Sequence, residues 1–221
     1  MAADVTASSE LRDRFVAAGL NILQADGPAE LTVRRVAEAA GSSTMGIYSC
    51  FGGRAGMLDA IYSRGFELLR DALAAAPTGI TAADPSTKRI LALARTYRRF
   101  ALANPSLYAL MFERPLPDFD PSPQLRAQAL EMTFKLLVAE VGAAAEYGLI
   151  TTTDPTRTAY LLWTAIHGMV SIELTHAVRS PLPGWFLDSP EAGEQVLVEG
   201  VASLLAGLEV DSQANASHTD G

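Results

Sequence analysis

The segment from Leu31 to Leu58, LTVRRVAEAAGSSTMGIYSCFGGRAGML, constrains this chain more than any other. Thr32 is a favourable N-cap, because a hydroxyl there accepts from an N–H that the first helical turn leaves unsatisfied. Val33, Val36, Ala37 and Ala40 then recur at the spacing of one buried helical face. Gly41 ends that helix, since the residue past a helix end often turns left-handed, at no steric cost to glycine. Ser43 caps a second short helix in which Ile47 and Phe51 point inward, leaving Thr44, Met45, Gly46 and Ser49 outside. Two short helices across a tight turn, the second with small outward residues, suit a helix-turn-helix whose second helix enters a DNA major groove.

The run Ala40, Gly41, Ser43, Ile47, Tyr48 and Phe51, followed by Arg54 and Leu58, resembles the DNA-binding domain of TetR-family transcriptional regulators. The resemblance covers the N-terminal part of the chain and rests on the whole pattern rather than on one residue. It implies that Thr32, Tyr48 and Arg54 touch phosphates and that Thr44, Met45 and Gly46 meet bases. Ser43, Ser49, Arg34 and Arg35 complete the candidate DNA contacts. Three departures stand in the same stretch: Ser42 for a small aliphatic residue, Cys50 for an aromatic or histidine, and Gly52-Gly53 for Pro-Ser. The last two bear on how the chain enters the next helix, and so on where Arg54 points.

A chain of 221 residues with 49% hydrophobic content is able to bury a substantial core. Its single cysteine, Cys50, excludes an internal disulfide and fits a reducing compartment; beside the recognition region it reads as a small packing residue rather than a redox sensor. The start, MAADVTASSELRD, lacks the basic and apolar regions of a secretory signal. The most apolar run, Ala159 to Ile172, is too short to span a bilayer and is interrupted by Thr164, His167 and Ser171. The expectation is a cytoplasmic protein without membrane contact.

Charge opposes the DNA reading and has to be met. The net charge is −8, and residues 1–60 hold five arginines (12, 14, 34, 35, 54) against seven acids. DNA binders draw affinity from the counterions their basic groups displace. The positive footprint here is therefore local, around Arg34, Arg35 and Arg54, helped by the positive ends of two helices. Weak non-specific binding follows, and with it a need for two copies on the DNA.

The whole chain reads as all-α: an N-terminal three-helix DNA-binding domain at 9–56 and a larger helical effector-binding and dimerisation domain at 57–210. Residues 1–8 and 211–221 are polar, lack periodicity and read as disordered. A first helix is expected from Ser9 to Ala25, and a long one from Arg54 to Ala76. The break from Pro77 to Pro85 precedes patterns at Ser86 to Ala103, Pro105 to Phe112, Ser122 to Tyr147, Pro155 to Val178 and Pro190 to Leu208. Prolines 105, 155 and 190 suit the first turn of a helix. Arg12 and Arg14 on the first helix read equally as phosphate contacts and as solvated charge.

The second half places aromatic residues inside its helical patterns, among them Tyr97, Phe100, Tyr108, Phe112, Phe134, Tyr160 and Trp163. An ordinary core explains them; so does a cavity for a mostly apolar effector, lined by Tyr97, Phe100, Tyr108, Met111, Phe134, Trp163 and His167. The segments NPSLYALMFE and WTAIHG resemble a subgroup of TetR regulators marked by a Trp followed four and five residues on by His-Gly. His167 either offers a ligand one donor or acceptor or bonds a nearby backbone carbonyl. No histidine pair has zinc spacing, and Glu173 with His176 reads as a surface pair. No metal, cofactor or catalytic group is expected.

Val170, Leu174 and Val178, with Val198, Val201, Leu204, Leu205 and Leu208, form apolar stripes on the last two helices. The resemblance implies that these helices join two copies in a homodimer on an inverted repeat of double-stranded DNA. The reading is a repressor released by a small-molecule effector. The rival is a helical carrier or enzyme that uses the aromatic cavity, its N-terminal helices only packing. An architectural DNA binder would need more positive charge than this chain carries.

Overall fold

The computed structural model describes residues 2–75, 85–179 and 189–208. Among the described residues the α-helices are α1 Ala2–Asp26, α2 Val33–Ala39, α3 Thr44–Phe51, α4 Arg54–Ala74, α5 Ser86–Ala103, α6 Pro105–Phe112, α7 Pro123–Glu146, α8 Pro155–Arg179 and α9 Pro190–Ala206, and the fold is all-α. Most of the break after Pro77, the loop before Ser189 and the tail from Asp211 lie outside the described residues, as does the side chain of Val178.

Helix starts follow from local chemistry. Proline opens α6, α7, α8 and α9, where its missing N–H would have had no partner. Ser122 Oγ accepts from Leu125 N at 3.1 Å, Asp154 Oδ1 from Arg157 N at 3.0 Å and Ser189 Oγ from Ala192 N at 3.1 Å. Each satisfies one orphan donor, a contribution of about 1 kcal/mol. The expected disorder of residues 1–8 is corrected: α1 is helical from Ala2. No proline or glycine separates this stretch from the anchored part of α1, and extending a helix already nucleated adds one hydrogen bond per residue fixed.

The chain forms two compact units. The first joins Met1–Asp71 to Ala101–Thr133, so α6 belongs with the N-terminal helices, and α1 packs on α2, α3 and α6. Its interior holds the wholly buried Phe15, Leu31, Val36, Ile47, Met57 and Ile61, each contributing roughly 1.5–3 kcal/mol. Gly19 lets α1 lie close to α4, since a Cβ there would sit 2.4 Å from Ile61 Cδ1.

The second unit joins Ala72–Phe100 to Phe134–Gly221. In it α8 packs on α9, burying Leu162, Ile166, Val170 and Leu174 from one helix and Leu197, Val201 and Leu205 from the other. Of the expected stripes, Val170, Leu174, Val201 and Leu205 are buried within the chain, Val198 and Leu208 are half-buried, and Leu204 is exposed, as are Leu161 and Ile172 of α8. Leu161 and Leu204 line one groove with the buried Leu162, at the edge of the internal seam, and Ile172 lies on the far side of α8 from Val170; hydrophobicity alone does not draw that distinction. Tyr160, expected inside, is 54% exposed.

Candidate nucleic-acid interface

Thr32 caps α2 as expected: its Oγ1 accepts from Arg35 N at 3.2 Å. Gly41 takes φ 61° and turns the chain into Ser43, whose Oγ accepts from Gly46 N at 3.4 Å and opens α3. Ile47 is wholly buried under this helix, while Phe51 meets Phe15 edge-on with ring centroids 6.0 Å apart. The other side of α3 is bare. Thr44, Met45, Tyr48 and Ser49 are all exposed, Met45 at 73% and Tyr48 at 55%. Neither side chain is covered by another part of the described chain.

Gly46 is not on that surface. It is half-buried, and a Cβ there would stand 3.0 Å from Phe15 Cζ, so its expected outward position is corrected. Gly46 sits against Phe15 of α1, where a larger residue would have to displace the ring. The departure Gly52-Gly53 also finds its reason. Gly52 closes α3 at φ 75° with its N–H on the Tyr48 carbonyl, and Gly53, at φ 134°, lies beneath the Tyr48 ring.

The basic candidates differ in their commitments. Arg34 is exposed and makes no ion pair among the described residues. Arg35 is exposed but held between Glu30 at 2.6 Å and Asp26 at 2.7 Å. Arg54 is half-buried and donates to Asp118, in the segment between α6 and α7. Arg12 is a structural residue: its Nη1 donates to the Cys50 carbonyl at 2.8 Å, and its guanidinium lies 4.4 Å from the centre of the Phe51 ring. It thereby satisfies one terminal carbonyl of α3 and tethers that helix to α1.

The aromatic candidates divide between the units. Tyr108 and Met111 are buried in the first unit, where Tyr108 packs on Phe112. Phe100, Phe134, Tyr97, Trp163 and His167 belong to the second. Trp163 there sits centrally, its ring 6.4 Å from Phe134, 5.9 Å from Tyr160 and 5.4 Å from His167. Tyr97 Oη and His167 Nδ1 are 2.8 Å apart. Burial lowers the His167 pKa from its ordinary value, so the ring is neutral and holds one donor and one acceptor. Trp163, His167 and Phe134 remain half-buried.

The model for bacterial regulatory proteins of the tetR family matches residues 15–61, and that for the tetracyclin repressor-like C-terminal domain matches residues 90–199. The chain belongs to the TetR family. Among solved structures, a protein of unknown function from Rhodococcus sp. RHA1 shares 29% identity over 90% of this chain and 95% of its own, with a TM-score of 0.71. A protein described as a tetR family transcription regulator from Shewanella sp. PV-4 shares 14% identity over 90% of this chain and 98% of its own, at a TM-score of 0.63. RolR, solved with resorcinol, shares 15% identity over 95% of this chain and 93% of its own, at 0.66. Among proteins of curated function none matches significantly.

As a TetR-family protein the chain is a DNA-binding transcriptional regulator with a helix-turn-helix domain. Among the described residues no group of three His, Cys, Asp or Glu side chains is placed to hold a metal, and no helix is long and apolar enough to cross a membrane. Sequence reasoning missed the strongest polar feature of this regulator. Arg98 donates to both carboxylate oxygens of Glu173, at 2.8 and 2.6 Å, and to the Pro190 carbonyl at 2.6 Å. Both side chains are buried, which corrects the reading of Glu173 as a surface partner of His176, whose own side chain lies outside the described residues. A signal was available in Gly193: a Cβ there would fall 2.2 Å from Glu173 Oε1, so the glycine makes room for the carboxylate.

Proposed function

We propose that this regulator is a cytoplasmic, homodimeric repressor that seats α3 of each copy in the major groove of an inverted-repeat operator and leaves the DNA when a small, mostly apolar effector binds. The observation that carries the reading is the bare face of α3. Thr44 and Met45 lead that face and are assigned to the bases; Thr32, Arg34, Ser43, Tyr48 and Ser49 are assigned to phosphates and sugars, as are Arg35 and Arg54 once they exchange carboxylate for phosphate. Residues 9–56 serve as the reading head, and residues 57–210 take the effector and the second copy. A single short helix reads few base pairs, and linking two makes the second contact intramolecular. The exposed Leu161, Ile172 and Leu204 on α8 and α9 support an interface there.

Tyr97, Phe100, Phe134, Trp163 and His167, all of the second unit, are the proposed effector contacts. The complex of RolR with resorcinol supports a small aromatic molecule as the class of effector. The effector acts by changing the separation of the two recognition helices from the roughly 34–36 Å that successive major grooves require. A near-complete release needs it to prefer the released state by about 5 kcal/mol. Selection from a pool of random duplexes tests the reading: recovery of an inverted repeat supports it, and recovery of no motif, or of single half-sites bound by one copy, removes it.

A further inference from the structure

The first unit contains a cleft of about 630 Å3 bounded by α1, the end of α3, the first half of α4 and the start of α7. Its size lies in the range that holds a small organic ligand, and it shares no residue with the aromatic cluster around Trp163. We infer that this cleft is a second ligand site, taking a small organic cation with Asp59 as its anchor, and that its occupant acts on the recognition helix from behind. This goes beyond the operator and effector proposed above.

The charges on the wall decide the ligand class. Three acids, Asp13, Asp59 and Glu67, face two bases, Arg12 and Arg64. Both bases are committed: Arg12 to the Cys50 carbonyl and the Phe51 ring, Arg64 to Glu67 at 2.8 Å. The carboxylates of Asp13 and Asp59 make no ion pair or hydrogen bond among the described residues. Asp59 is also half-buried, and burial alone pushes its carboxyl pKa up, the response of a charge that has lost water and gained no partner. An ammonium, amidinium or guanidinium group beside it replaces the lost hydration. An anion meets the excess of acids and two cations already engaged.

The position of the cleft gives its occupant leverage. Cys50 and Phe51 are the last residues of α3, and Gly56 beside them is where α4 comes closest: a Cβ at Gly56 would lie 2.1 Å from the Phe51 carbonyl oxygen. A ligand here touches the recognition helix at the end opposite Thr44 and competes with, or braces, the Arg12 tether. Any effect is reciprocal, so duplex DNA and the cation change each other's affinity by the same factor.

The test uses the full chain and benzamidine as the cationic probe, with neutral benzamide and anionic benzoate as its near-isosteres. Calorimetry is expected to give saturable binding of benzamidine alone, weakened about tenfold or more in Asp59→Asn, the loss of one charge-assisted hydrogen bond. Cys50, the only cysteine, reports the location: benzamidine is expected to slow its alkylation by iodoacetamide, a readout independent of whether the Asp59 variant folds. Binding of benzoate as tight as that of benzamidine, an unchanged affinity in a folded Asp59→Asn protein, absence of saturable binding at millimolar probe, or a thiol whose reactivity ignores bound benzamidine each overturns the site. These measurements need no DNA, so a failure to recover an operator leaves them intact. The same probe titrated against a bound duplex then tests the coupling, and an unchanged duplex affinity removes the action on α3.

Discussion

The outward face of α3 and the Arg98–Glu173 pair handle polar groups in opposite ways. On α3, Thr44, Met45, Tyr48 and Ser49 stand in water with their bonding capacity unspent. Between α5, α8 and α9, a full positive and a full negative charge have been taken out of water, and the cost is offset because the carboxylate is met bidentately and the guanidinium also finds the Pro190 carbonyl. The first surface is available to a partner and contributes little to the fold. The second organises three helices and offers a partner nothing. Polar residues of the same types thus serve recognition or architecture according to what remains unbonded around them.

Breaking the buried pair is the largest perturbation expected. Glu173→Gln removes the buried bidentate carboxylate and leaves Arg98 only the more distant, exposed Glu194 at 3.8 Å, a loss of about 3 kcal/mol and a fall in Tm on the order of 10 °C; a calorimetric scan that finds Tm unchanged erases the contrast drawn above. Next in size is Tyr48→Phe, expected to weaken every duplex alike by about 1 kcal/mol while folding stability stays within about 0.5 kcal/mol of the parent's. Substitutions at Thr44 or Met45 are expected instead to change which sequences are selected. A Tyr48→Phe protein with altered preference and intact affinity reverses those roles.

Two smaller effects sharpen the comparison. Asp118→Asn frees Arg54, and anisotropy titrations at several salt concentrations are expected to show about two- to fivefold tighter binding to all duplexes with a steeper salt dependence; weaker binding makes Asp118 a support for Arg54 rather than its competitor. The smallest effect concerns His167, whose folded-state pKa lies below the ordinary 6.5. The unfolded chain therefore takes up this proton first, and the native state loses stability as pH falls below that value toward the lowered one. His167→Gln, which retains a donor and an acceptor for Tyr97, is expected to flatten the plot of Tm against pH there. An unchanged slope means that His167 is not the group responsible.

The helix-turn-helix was legible because its determinants are local. Thr32 and Ser43 cap the helices that follow them within one turn, and Gly41 accepts its conformation whatever packs nearby. Proline starts made α6, α8 and α9 readable for the same reason. The outward set on α3 was read correctly except at Gly46, where helical spacing leaves two faces adjacent and only the position of Phe15 on α1 separates them. Arg12 read equally as a phosphate contact and as solvated charge; no periodicity reveals a cation reaching the end of another helix.

What the chain by itself determined is its set of helices, their caps and the family to which its reading head belongs, because these depend on interactions spanning a few residues. Which apolar residues of α8 and α9 are consumed internally, which arginines already hold a carboxylate, and where a cleft with an unpaired Asp59 opens were decided by the tertiary structure. Those properties depend on distances between residues far apart in sequence, where a difference of an ångström or two separates a hydrogen bond from an unsatisfied charge.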